Sequence, residues 1–356
     1  MAISLADARG IFTKKLIEVY KETSTPTSFL KSFFTTKYSD TKEVSIAVQR
    51  GFELIAVDVL RGTEGERNTF SKSTEKIFVP PFFREYLDAT ELDFYDRLWS
   101  SADGSVEPIT FSNWLQTVIE KLQMLKDKIE RTYELQCAQV FETGIVTLKN
   151  GENIDYKRKA TSLVDLTAGN YWEDSSVDPV TSIEAGCNFI RTKGKAQGSV
   201  FNMILGSESL NALYNNTKFQ AKNDLRRMDL SEVRMPQRNA LGGVLHGQLS
   251  AGSYKVNIWT YPEFYDTAVA EGLSYVNTKK MILLPEMTKY SFAYGAVPRL
   301  WGAEKKGVGI ARDSGDFVVG EYLDERNTTH IIDIKSAGLA IPVAVDTIYT
   351  AQVIAS

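Results

Sequence analysis

The residues best suited to acid–base work, metal ligation or nucleophilic attack are few in this chain of 356 residues: His246, His330, Cys137 and Cys187. Neither histidine has a cysteine or a second histidine at metal-ligand spacing. His246 lies in GGVLHGQLSAG, where Ser250 precedes Gly252. A nucleophile elbow needs glycine two residues before the serine as well, and Gln248 stands there. GVGIARDSGD carries Gly307 and Gly309 without the third glycine of a dinucleotide fingerprint, and no P-loop occurs. Asp93, Asp96, Asp174 and Asp178 could gather round a cation, but their spacing does not specify the tight oxygen cage one needs, so solvated surface is expected. Cys137 and Cys187 fall in helical patterns and read as small buried apolar residues. The run YKRKA, from Tyr156 to Ala160, could touch phosphate, and a solvated strand end is the preferred reading. No catalytic, cofactor-binding or metal-binding residue is therefore expected, and no cofactor.

Composition points the same way. The chain is 43% hydrophobic and 24% charged, enough apolar material for full cores in about two domains. Its 41 basic and 45 acidic residues leave a net charge of −4, so no electrostatic drive toward nucleic acid or anionic membrane exists. Two cysteines cannot form a disulfide framework, and reduced thiols are expected. The first residues, MAISLADARGIFTKKL, lack the apolar run of a secretory signal, and no window approaches the length of a membrane helix. A chain of this size without a catalytic constellation reads as structural or binding.

The elements that would position such residues are clearer than the residues. Ser112 to Thr143 contains no glycine or proline and places Leu115, Val118, Ile119, Leu122, Leu125, Ile129 and Tyr133 at helical spacing. Ser112 is a plausible N-cap and Gly144 sits where a C-terminal glycine belongs, which gives a rod of about 48 Å at about 1.5 Å per residue. IVTLKNGENIDY follows, with Asn150-Gly151 between apolar positions, the strongest short hairpin signal. Ile145, Val146 and Leu148 should face Ile154 and Tyr156 across it. Asp178-Pro179 marks a turn into a helix over 181–190. SVFNMILG, YKVNIWTY and KKMILLP read as strands, SESLNALYNN as a capped helix, and the stretch from His330 to Ile354 as β-rich. The mixed order favours an α+β class.

Near the N-terminus SFLKSFF is either a core segment or a clip onto a partner. Beyond it the polar stretch RGTEGERNTF, Arg61 to Phe70, lies between two apolar arms, FELIAVDVL and KIFVPPFF. Pro80 and Pro81 should end the return arm, since neither can donate to a strand ladder. An isolated hairpin of this kind is marginal in water. Its apolar faces need another surface, on its own chain or on a neighbouring copy.

This order of elements resembles the major capsid proteins of tailed phages, and more closely the lambda-type capsid protein E family. ELQCAQVFETGIVTLKNGENIDY is similar to that family's helix-to-hairpin unit, and YWEDSSVDPVTSIEA to its Trp…Asp-Pro…Ile-Glu-Ala segment. SFLKSFF, SVFNMILGSESLNALYNN, YKVNIWTY and HIIDIKSAGLAIPVAVDTIYTAQV extend the likeness over about residues 28 to 354. The resemblance implies the tailed-phage major capsid fold: an N-terminal arm over 1–45 and an extended β-hairpin loop over 46–85. A peripheral domain would cover 86–194, with spine helix 112–143 and hairpin 145–156. An axial domain would cover 195–290, and C-terminal strands 291–356 would be shared by both domains. It implies a shell of pentamers and hexamers around phage double-stranded DNA, bound without sequence specificity and without membrane. It also implies a virion location, reached through assembly in the host cytoplasm. Too few residues precede the arm for a built-in scaffold, so a separate scaffolding protein is expected, with a portal and in some shells a decoration protein. Arg61, Glu64, Glu66, Arg67 and Phe70 at the loop tip are the expected inter-subunit contacts. No Lys–Asn crosslink is assigned to Lys72 or Lys76. A non-viral, encapsulin-like compartment shell is the first alternative and a soluble hydrolase with an unrecognised site the second.

Overall fold

A computed structural model of the chain describes residues 26–48, 74–89, 111–148, 153–167, 169–223, 231–288, 290–300, 310–313, 315–324 and 329–355. Its contacts divide into two units: one of Met1–Pro26, Phe82–Arg131 and Phe317–Ser336, the other of Thr27–Pro81, Thr132–Asp316 and Ala337–Ser356. The long helix runs unbroken over Phe111–Glu142, one residue earlier at each end than the expected span. Gly144 closes it at φ +76°, a conformation that side chains with a Cβ rarely adopt.

In the first unit an antiparallel sheet places Thr329–Ser336 between Val318–Asp324 and Phe83–Ala89. Ile332 and Ile334 are buried. Asp333, on the alternate side of the strand, is fully buried too, held by Arg84 at 2.8 Å and Lys335 at 3.0 Å. Gly320 pairs directly with Asp333, and a Cβ there would stand 2.2 Å from the carboxylate, so glycine makes room for the charge. Lys128 pairs with Glu85 at 2.8 Å, and the Lys126 ammonium lies over the Phe317 ring.

The second unit is built on a seven-stranded mixed sheet. Its order is Leu163–Asp165, Tyr349–Gln352, Lys280–Pro285, Val200–Leu205, Tyr254–Thr260, Val244–Ala251, Ser231–Arg238. Its central strands read as continuous apolar runs because both faces are covered: Phe201 to Leu205 and Met281 to Pro285 are all buried. Helix Pro179–Thr192 packs on it through Ile183, Cys187 and Ile190. This helix starts two residues before the expected 181, because Asp178 is the N-cap, accepting from the Val180 N–H at 3.2 Å, and Pro179 fits the first turn. At Gly186 a Cβ would meet the Leu283 and Tyr349 side chains at 2.6 to 2.8 Å, so the glycine lets helix and sheet approach. Helix Ser207–Asn215 is entered from Gly206 with no side-chain cap, unlike the capped helix expected.

A second core in the same unit is aromatic. Strands Phe34–Tyr38, Tyr290–Tyr294 and Gly338–Ile341 form a three-stranded sheet. Tyr133 and Phe141 of the long helix meet its Phe34, Tyr290, Phe292 and Tyr294 rings at 5.1 to 5.8 Å between centroids.

Candidate functional site

The alternative for SFLKSFF is decided in favour of the core. Phe29, Leu30 and Phe34 are buried in their own chain. Phe29 rests against Trp259 and Tyr261 at 5.4 and 5.5 Å, and Phe33 and Phe34 against Phe141 at 6.0 and 5.1 Å. A Cβ at Gly243 would stand 2.4 Å from the Phe29 ring, so that glycine supplies the space. The intervening Lys31 is accommodated by aromatic faces. Its ammonium donates to the Tyr294 hydroxyl at 3.1 Å and lies 5.0 to 5.7 Å from the centroids of Tyr133, Phe292 and Tyr294.

From this anchor the chain runs into the hairpin. Ser39 N–H donates to Tyr294 O at 2.8 Å, and Ala296 N–H to Thr41 O at 3.0 Å. Strand Val44–Val48 then pairs antiparallel with Thr74–Phe78, from Val44 opposite Phe78 to Val48 opposite Thr74. No further strand joins this pair among the described residues. The return arm ends as Pro80 and Pro81 require, and Pro80 is buried. Phe78 turns inward onto Tyr156 at 5.3 Å, while its neighbours turn out: Ile77 is 59% exposed and Val79 47%. The expected contact residues Arg61, Glu64, Glu66, Arg67 and Phe70 lie outside the described residues, and so does FELIAVDVL. Sequence reasoning named the tip and passed over Ile77 and Val79. The available signal was KIFV, apolar at successive positions, which a strand must divide between two faces.

Of the chemistry-bearing residues, Asp93, Asp96, Gly307, Gly309 and the His330 side chain lie outside the described residues, and the others are absorbed by structure. His246 Nε2 lies 2.8 Å from Thr260 Oγ1, and burial lowers its pKa. Burial pushes the Cys187 thiol to about 12 and Cys137 well above its ordinary value, so both stay neutral and unreactive. Asp174 accepts from the Ser176 N–H, which lowers its pKa, and Asp178 caps its helix. No group of three or more metal-ligating side chains occurs among the described residues. Also among them, no helix is long and apolar enough to cross a membrane.

The basic run requires a correction at one position, since Lys157 and Lys159 are exposed as expected. Arg158 is neither a phosphate contact nor a solvated strand end. Its guanidinium donates to Phe141 O at 2.8 Å and to Ser162 O, Ile348 O and Thr350 Oγ1, each at 3.1 Å. Burial lowers it to about 10, so it remains a cation at neutral pH. Tyr156 is buried with its hydroxyl on Ala340 O at 2.6 Å, and Lys159 pairs with Asp346 at 2.9 Å. A cavity of about 380 Å³ is lined by Trp172, Glu173, Glu208, Asn211 and Asn216 among others. Its central polar groups already have partners: Trp172 Nε1 on Ser182, Asn216 Nδ2 on three carbonyls, and Glu208 on Thr278.

A long helix ending in a tight hairpin, a broad mixed sheet and a hairpin loop rooted on an aromatic core make up the capsid fold of tailed phages. Solved structures share it. The crystal structure assigned to the capsid protein of a prophage of E. coli CFT073 has a TM-score of 0.61 at 14% identity, covering 99% of this chain and 100% of that one. A phage-related protein from Bordetella bronchiseptica RB50 has a TM-score of 0.52 at 11% identity, covering 96% of each chain. A search of curated proteins finds no match. Residues 13–353 match the phage major capsid protein E family, and the chain belongs to that family. It is a structural protein of a phage capsid shell.

Proposed function

We propose that this chain assembles into pentamers and hexamers that tile an icosahedral shell around phage double-stranded DNA, and that the hairpin loop over 46–85 is the clasp between copies. The observation that carries the reading is the pair Ile77 and Val79, exposed at the end of the two-stranded hairpin while Phe78 between them rests on Tyr156. A subunit of a shell covers such surface with the next copy. Each contact of this kind is heterologous, so it closes into rings when the rotation permits. A subunit engaged at several such contacts is held far more firmly than one contact would hold it. The mixed charges of Arg61, Glu64, Glu66 and Arg67 keep the tip soluble before assembly and pair with complementary groups after it.

In this reading residues 1–45 form the arm, 86–194 the peripheral domain with its spine helix, 195–290 the axial domain, and 291–356 strands common to both. Assembly takes place in the host cytoplasm on a separate scaffolding protein, around a portal, and the finished surface is available to a decoration protein. A net charge of −4 gives the chain no overall electrostatic drive toward DNA, which fits a container filled from outside. Co-expression with the scaffolding protein followed by negative-stain microscopy tests the proposal. Rings and closed shells are expected. Compact monomers alone, through a range of salt and scaffold ratios, would overturn it.

A further inference from the structure

One carboxylate ties the root of the N-terminal segment to the long helix. Glu134 is 1% exposed. Its Oε1 accepts from the Leu30 N–H at 2.6 Å and its Oε2 from the Lys31 N–H at 3.1 Å. The Tyr261 hydroxyl faces it, and that hydroxyl lies 2.5 Å from Thr27 Oγ1. Residues 27, 30 and 31 thus converge, directly or through Tyr261, on a single side chain more than a hundred positions away. The charged group facing it from that segment is Lys31, whose ammonium is directed at Tyr294 and the aromatic faces instead. From the strand end opposite it faces Tyr261, and on its own helix Cys137, a thiol kept neutral by burial.

This arrangement takes a proton without leaving a polar atom orphaned. With Glu134 ionised, Thr27 donates to Tyr261 and Tyr261 to the carboxylate. With Glu134 protonated, the chain of hydroxyls reverses: the carboxyl O–H donates to Tyr261, which donates to Thr27. Both backbone N–H groups keep an oxygen in either state, and the proton comes from solvent to a carboxyl oxygen. We propose that Glu134 makes the seating of residues 27–34 on the long helix a proton-linked step, in which the segment closes over the carboxyl as a proton binds and loosens as the proton leaves.

The direction follows from linkage. Desolvation by burial raises this carboxyl to about 7, against the backbone and Tyr261 hydrogen bonds that lower it, and exposure on release would return it to an ordinary value of about 4.3. Between those values the seated form holds more protons than the released form. Seating therefore strengthens as pH falls from 7 toward 5, weakens as pH rises, and changes no further above 7. The inference rests on the second unit alone and does not depend on the shell reading.

Amide hydrogen exchange on the full chain, corrected for intrinsic rates, tests it at residues 29–34 between pH 5 and 8.5. Protection is expected to fall by up to about tenfold per pH unit up to pH 7 and then level. Glu134→Gln, neutral at every pH, turns its amide NH2 toward one of the two backbone N–H groups and so seats the segment less firmly, but the slope with pH should be abolished. Flat protection in the native chain, or an unchanged slope in the variant, would overturn the proposal. Should the variant fail to fold, a carboxyl carbon-13 titration of Glu134 in the native chain decides: a midpoint near 7 supports the clasp, and one below 5 ends it.

Discussion

The hairpin Ile145–Thr147 with Asn153–Asp155 is completed within one chain. Val146 lies directly opposite Ile154 and is fully buried, while Ile145 stands exposed opposite Asp155. Thr147 N–H is held by Gln139 Oε1, and Arg158 crosses behind Gly144 to reach Phe141 O. The hairpin Val44–Val48 with Thr74–Phe78, in the same unit, is less fully covered among the described residues. Phe78 touches Tyr156, immediately after the first hairpin, so the two share a wall, yet Ile77 and Val79 remain in solvent. Both begin from apolar strands. Among the described residues they differ in how much of their apolar surface the surrounding chain covers, and in the proposed reading the uncovered pair meets another copy.

The sharpest way to break this contrast is to charge the open side. Ile77→Asp with Val79→Asp should lower shell yield by more than about a hundredfold, because two carboxylates would be desolvated at every contact. The unassembled chain should melt within about 2 °C of the native one, since exposed positions contribute little to folding. An equal loss of thermal stability would mean that the chain uses these residues for itself. On the closed hairpin the effects should reverse. Arg158→Met leaves buried carbonyls without their donor and should cost about 3 kcal/mol in denaturant unfolding, with the loop contact untouched. Gly144→Ala forces a side chain into φ +76° and into the Arg158 methylenes, at 2.4 Å, and should cost about 1–2 kcal/mol. The mildest effect belongs to the tip. Glu64→Lys with Glu66→Lys should slow assembly by about tenfold at low salt and less at high salt, with folding unchanged. Normal assembly kinetics from that pair would remove the tip charges from the mechanism.

Elements governed by local rules were legible. The helix Phe111–Glu142 follows from an uninterrupted apolar period, the hairpin after it from Asn150-Gly151, and the inner strands from apolar runs such as FNMIL and MILL. What depended on distant partners was not. SFLKSFF gave no sign of whether it belonged inside or out, because its answer lies in Phe141, Trp259 and Glu134. Lys31 inside that patch is held over three rings, a setting its sequence neighbours do not reveal. YKRKA looked solvated, yet Arg158 binds carbonyls from three separate stretches, a role that local charge pattern does not encode. At the candidate site the arms were visible as apolar sequence. Their facing was not, because alternation tells which residues share a side without telling which side is covered.

The most direct measurement is a reconstruction by electron cryomicroscopy of shells assembled from this chain, at a resolution that places side chains. The account predicts that Ile77 and Val79 are covered by an adjacent subunit and that residues 61–70 reach across the same boundary. Finding both residues still in solvent, or packed beneath their own chain, would contradict it.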